Sequence, residues 1–269
     1  MSASAAALGT SNATDRTYRN LRVYNVVMGF FHLAMATLMF AVSNNFSLPI
    51  TTSYLSFQQG AVPPIFPVNA TIGDVRIGPM VALFLLLSAI AHFIIASPLY
   101  YSTYVKNLKK NTNYLRWIEY ALSSSVMIVV IAMLVGMYDL SSLILIFTLN
   151  ATMNLFGLMM ELHNQTTEKT NWTAFIFGCI AGIVPWIVIA LYFAGAVGQY
   201  ASSIPSFVYG ILASIFIFFN VFAINMFLQY KKVGPWKDYL FGERVYILLS
   251  LVAKTLLAWQ IFSGTLRPM

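Results

Sequence analysis

Seven apolar stretches, each close to the length of a membrane-crossing helix, set the limits on what this chain can fold into. They fall at approximately 23–44, 78–102, 115–138, 141–161, 172–196, 206–230 and 244–264. A helix needs about 20 apolar residues to cross the hydrocarbon layer. Inside lipid, a helix also satisfies its own backbone hydrogen bonds. The expected fold class is therefore an all-α membrane protein with seven transmembrane helices. Only 9% of the 269 residues are charged, where a soluble domain carries roughly 25%. The net charge of +7 is not read as a nucleic-acid signal, because the basic residues sit in the connections between apolar spans. Cys179 is the one cysteine, which excludes a disulfide framework. Residues 1–20 are rich in Ala, Ser and Thr and lack the apolar core of a signal peptide. They are expected to form a flexible tail, with one membrane domain over 21–269.

The connections are short except for 45–77, which holds Pro49, Pro63, Pro64 and Pro67 among Val, Ile and Thr runs near Gly73 and Gly78. That pattern predicts an ordered cap, with a β-hairpin as one form and coil as the other. Orientation follows from the basic residues. Twelve of them, from Arg16 to Arg244, fall on the side of the N-terminus, and two, Arg76 and Arg267, on the other. Positive loops stay in the cytoplasm. The expectation is a cytoplasmic N-terminus and an extracellular C-terminus and 45–77 loop.

Lys254 is the exception among 15 Lys and Arg residues, lying deep in Tyr246-Ile-Leu-Leu-Ser-Leu-Val-Ala-Lys254-Thr-Leu-Leu-Ala-Trp-Gln260. A bare ammonium at that depth costs roughly 2.5–3.5 kcal/mol or more, so it needs a partner. Glu119, inside the third span, is the natural one. A buried amine and a buried acid suggest a protonated Schiff base with its counter-ion, since desolvation favours attack of an amine on a carbonyl. The alternative is a structural Lys–Glu ion pair in a transporter or receptor. Ser250 lies one turn before Lys254 on the same face, where it can bond the nitrogen or serve as a small packing residue.

His32 and His92 fall at a depth similar to that of Glu119. Together they could hold a proton or organise water; separately satisfied side chains are the other reading. A zinc site lacks a third ligand nearby. Asn150 and Asn154, one turn apart, would with Ser123, Ser124 and Ser125 give the bundle centre polar contacts; ordinary helix packing also explains them. Trp186, beside Pro185, is one of several aromatic residues that could sandwich a long polyene, though plain packing also explains them. Glu161 is expected to be a solvated helix end.

Three segments carry a family resemblance: Arg116-Trp-Ile-Glu119-Tyr-Ala-Leu-Ser-Ser-Ser-Val-Met, Phe177-Gly-Cys-Ile-Ala-Gly-Ile-Val-Pro-Trp186, and Ser250-Leu-Val-Ala-Lys254-Thr-Leu-Leu-Ala-Trp-Gln-Ile-Phe-Ser-Gly-Thr-Leu266. They are similar to those of the heliorhodopsins, the inverted branch of the microbial rhodopsins. The resemblance implies a rhodopsin bundle with all-trans retinal on Lys254, Glu119 as sole counter-ion, and a homodimer in lipid. Tyr120, Ser124, Asn150 and Ser250 match positions lining the Schiff-base region. His32 and His92 match the family's inner-cavity histidines, and Arg116 joins them in an expected proton and water network. Asn154 and Met226 depart from the family pattern.

Outward light pumps carry a proton-donating carboxylate eleven residues beyond the counter-ion; here that residue is Val130, and Ser250 replaces a second carboxylate of the pumps. The expectation is a slow photocycle and a light-sensing photoreceptor that signals to a cytoplasmic or membrane partner. The alternative is a light-activated proton or ion conductor, with a path past Asn154 and Glu161. A third reading, a light-dependent regulator of an enzyme, places any catalysis in a partner, since no catalytic domain is visible in the chain.

Overall fold

The computed structural model describes residues 14–200 and 206–266. The expected flexible tail lies largely outside them, but helix α1 begins at Asp15, inside the stretch expected to be tail. An acidic residue in the first turn complements the positive end of the helix dipole, and Tyr18 and Leu21 are already buried. The elements run α1 (Asp15–Val42), β1 (Ser47–Phe57), β2 (Ile65–Arg76), α2 (Ile77–Ala96), a short α3 (Tyr101–Leu108), α4 (Tyr114–Leu134), α5 (Leu140–His163), α6 (Thr173–Tyr200), α7 (Ser206–Tyr230) and α8 (Tyr239–Ile261), which ends in a π-turn. Among the described residues, seven helices are long and apolar enough to span a membrane; α3 is not one of them. The outward-facing apolar side chains, such as Phe30, Leu145, Ile187 and Leu191, suit lipid and not water.

The helix boundaries have local causes, and two of them differ from expectation by several residues. The second span stops at Ala96 because Pro98 follows Ser97. Proline lacks an N–H and pushes the preceding residue out of helical geometry, and Ser97 is extended. The last span starts at Tyr239, where the Asp238 side chain accepts from Leu240 N at 3.0 Å. Asp139 caps α5 in the same way, through Ser142 N at 2.9 Å. Asn113 caps α4 through Arg116 N at 3.1 Å.

The predicted cap over 45–77 is a two-stranded antiparallel hairpin, with Ser47 opposite Arg76 and Phe57 opposite Ile65. An irregularity at Ile50/Thr51 leaves Ile72 as the extra residue on β2. Thr51 N donates to Tyr138 O at 2.9 Å, which ties the hairpin to the α4–α5 connection.

Helix α4 organises the interior. Its residues Val126–Met133 sit in a large apolar cluster that also takes in Leu257, Ala258 and Ile261 of α8. Trp117 and Tyr120, near its other end, join a second cluster rich in tyrosine, with Tyr104, Tyr239 and Tyr246. Polar residues fill the level between: Glu119, Ser123 and Ser125 on α4, Ser250 and Lys254 on α8.

Helices α4 and α5 approach closely where the Trp117 ring lies against Gly157; a Cβ at that position would overlap the ring. Gly157→Ala therefore lowers stability by about 1–3 kcal/mol, the usual cost of overfilling a packed contact. Gly210→Ala on α7, where a Cβ meets nothing within 4 Å, has no such cost. Thermal unfolding in detergent separates the two variants.

Candidate functional site

The polar level is built around the Lys254 nitrogen. Lys254 Nζ donates to Glu119 Oε1 at 2.7 Å, Ser88 Oγ at 2.5 Å and Ser250 Oγ at 3.0 Å. The three donors of an ammonium are thus all used. Ser88 in turn donates to Glu119 Oε1 at 2.6 Å. Lys254 is 3% exposed and Glu119 7%. An opposite charge at hydrogen-bond distance is what makes such burial tolerable.

The other expected residues gather around this pair in two groups. Tyr120 turns its hydroxyl away, donating to Tyr246 O at 2.8 Å, and presents its ring with its centroid 5.2 Å from Lys254 Nζ. Ser124 Oγ accepts from Asn150 Nδ2 at 2.8 Å and Asn154 Nδ2 at 3.0 Å. Asn150 also reaches Ser125 Oγ at 3.0 Å. Both asparagines therefore bind α5 to α4, and Ser124 and Asn154 border a cavity of about 40 Å³ beside Lys254.

That cavity shares Met153, Asn154, Phe219 and Phe222 with a larger apolar one of about 540 Å³ between α5, α6 and α7. Trp186 walls the larger cavity, braced edge-on by Phe216 and Phe219 at centroid distances of 5.2 and 5.3 Å. Small-molecule sites usually measure roughly 300–1,000 Å³ and are mostly apolar with a few fixed polar groups. A buried amine beside its anion, opening toward an aromatic-walled cavity of that size, fits a long apolar aldehyde such as retinal.

On the other side of the pair, His32 and His92 stack with ring centroids 5.4 Å apart. His92 Nδ1 bonds Asn25 Oδ1 at 2.8 Å. Among the described residues neither ring nitrogen of His32 has a hydrogen-bond partner, although the side chain is fully buried. Arg116 borders a small polar cavity together with His92, Glu119 and Ser250. Its guanidinium does not pair with Glu119. It forms salt bridges to Glu161 and Glu243 instead, and stacks over Tyr246 at 4.2 Å.

This corrects the reading of Glu161 as a solvated helix end: it is 2% exposed. Asn113 N (3.0 Å), Trp117 Nε1 (2.7 Å) and Tyr239 OH (3.0 Å) all donate to it. Tyr239 opens α8 and closes over the last turn of α5, and that contact removes Glu161 from water. Glu243 accepts from Asn113 Nδ2 at 2.7 Å and Tyr104 OH at 3.1 Å. Burial pushes the Tyr104 hydroxyl's pKa up, so it stays a neutral hydroxyl.

Sequence reasoning did not single out Ser88 or Glu243. Their positions carried a signal. Ser88 is one turn before His92, and Glu243, Ser250 and Lys254 are spaced seven and four residues apart on one helical face.

The sequence model of the heliorhodopsin family matches residues 21–266, nearly the whole chain. No curated protein matches it.

Arg116→Met removes the buried cation that both Glu161 and Glu243 contact. The expected cost is about 3–5 kcal/mol, as for other broken buried pairs, seen as a lower thermal midpoint in detergent. Adding Glu161→Gln to that variant recovers part of the loss.

Proposed function

This chain belongs to the heliorhodopsin family of retinal-binding rhodopsins, and we propose that it is a light-sensing photoreceptor that signals and does not pump. The observation that carries the reading is the buried Lys254–Glu119 pair at the edge of an aromatic-walled cavity. All-trans retinal, bound to Lys254 as a protonated Schiff base, supplies visible absorption and light-driven bond rotation. Glu119 would take the single N–H of that nitrogen and hold its positive charge, Ser88 steadies the Glu119 carboxylate, and Ser250 lies beside the nitrogen. Tyr120, Ser124 and Asn154 form the near wall, Asn150 steadies Ser124 from behind, and Trp186 closes the far side. His32, His92 and Arg116 supply the polar network beyond Glu119.

The distribution of ionisable groups favours a sensor. Beyond Glu119, α4 continues as the buried apolar run Val126–Met133, with Val130 fully buried where a pump carries its donor. The buried ionisable partners lie on the opposite side, toward Arg116. A proton displaced from Nζ then has carboxylates and histidines to meet on one side only. Return from that side makes the cycle slow, and a long-lived lit state suits a signal. We place the N-terminus in the cytoplasm from the twelve-to-two bias of basic residues, with the hairpin and C-terminus outside. The working assembly is a homodimer in lipid acting on a cytoplasmic or membrane partner, and any catalysis belongs to that partner.

A light-activated conductor is the second reading. Its proposed path past Asn154 and Glu161 finds little support: Asn154 is bonded to Ser124 and Asn150, and Glu161 is closed in by Arg116, Trp117 and Tyr239.

Reconstitution with all-trans retinal tests the assignment. Wild type takes on colour, and Lys254→Ala stays colourless while remaining folded. Glu119→Gln absorbs further to the red, because an anion beside Nζ stabilises the charge-localised ground state most. An unchanged spectrum removes Glu119 from this role. In voltage-clamped cells, light evokes no current at any voltage; a steady photocurrent sinks the sensor reading.

A further inference from the structure

We propose that Glu243 binds one stored proton, the one that makes the buried charges of the bundle neutral. Among the described residues three carboxylates lie inside, Glu119, Glu161 and Glu243, and none is more than 7% exposed. Two cations accompany them among the described residues, Lys254 and Arg116, at 3% and 4%. If every carboxylate were ionised, the interior would hold one uncompensated negative charge. An unpaired charge in a membrane interior costs several kcal/mol, and a bound proton removes it.

The hydrogen bonds say which carboxylate takes that proton. Glu119 is paired one-to-one with Lys254. Glu161 accepts from Arg116, Asn113 N–H, Trp117 Nε1–H and Tyr239. Three of those partners are nitrogen donors that cannot accept in return. At Glu243, the Oε2 atom meets Arg116, and Oε1 meets Asn113 Nδ2 and the Tyr104 hydroxyl. A hydroxyl is both donor and acceptor. With a proton on Oε1, Glu243 donates to the Tyr104 oxygen and leaves the Arg116–Glu161 pair intact.

The surroundings also suit a proton address. Of the Arg116 partners, Glu243 and not Glu161 borders the cavity of about 20 Å³ that also touches Ser88, His92, Glu119 and Ser250. One water needs roughly 10–15 Å³ and two to four polar contacts, so the space admits one water between Glu243 and the groups around Lys254. A second polar connection runs from Tyr104 to Asn25 (3.5 Å) and on to His92 (2.8 Å). The titratable or charged groups facing this cluster are His92 on α2, Tyr104 on α3, Arg116, Glu119 and Tyr120 on α4, and Glu161 on α5. Tyr230 on α7 and Tyr239, Tyr246 and Lys254 on α8 complete the set. The stored proton therefore sits on the counter-ion side of Lys254, opposite the apolar side that holds Val130.

Infrared spectroscopy of the retinal-free protein near neutral pH tests this, independently of the photoreceptor reading. The expected wild-type spectrum contains one carbonyl stretch of a protonated carboxylic acid. Glu243→Gln abolishes it, whereas Glu161→Asp, which keeps the charge count, leaves its position unchanged. Glu243→Asp, the milder change should Glu243→Gln fail to fold, moves the band without deleting it. Tyr104→Phe shifts it to higher frequency by removing its hydrogen-bond acceptor. A wild type without such a band overturns the proposal, and so does a band that survives Glu243→Gln or that moves with Glu119→Asp or Glu161→Asp and not with Glu243→Asp.

Discussion

An ammonium and a carboxylate 2.7 Å apart, sealed between two apolar clusters, are the interaction on which the rest of the structure depends. Neither charge is tolerable alone at that depth. Together they require three helices to hold one geometry: α8 for Lys254, α4 for Glu119 and α2 for the bridging Ser88. The clusters above and below fix the pair by excluding water. One is aliphatic, around Val126–Met133, and the other is rich in tyrosine and tryptophan. The low dielectric they create strengthens the pair and makes any change in its charge felt by its neighbours.

Much of this was legible in the sequence, and what was missed has physical causes. The seven spans were read from hydrophobic length, and Lys254 and Glu119 stood out because a charge inside an apolar run is rare. Proline, glycine and β-branched residues over 45–77 gave notice of the hairpin. Ser88 escaped because a lone serine in a membrane helix is usually packing; only the approach of α2 to α4 and α8 gives it two charged partners. Glu161 and Glu243 were harder, since each lies at a span end, next to polar sequence that resembles a solvated terminus. Their burial is tertiary: Tyr239 and Tyr104 come from other elements to cover them. The early end of α2 at Ser97–Pro98 was visible in the proline but was outweighed by the apolar length around it.

The bundle is also asymmetric about its central lysine. On one side the ionisable groups form a connected set from Glu119 to Glu161 through Arg116, His92 and their hydroxyl and amide partners. On the other, beyond its serines, α4 offers the apolar run Val126–Met133. The same asymmetry supports a sensor over a pump and gives the stored proton its place.

The hairpin has a mechanical consequence. Thr51 ties it to Tyr138, between α4 and α5, and Asn44 at its foot bonds Thr265 beyond the end of α8 at 3.0 Å. That rim of the molecule is stitched across the ends of several helices. Helices α6 and α7, by contrast, meet mainly through bulky aromatic rings, with the large cavity along their seam. A barrel hooped at one rim and slatted loosely along one stave is least braced at the slack stave, which here is the α6–α7 seam.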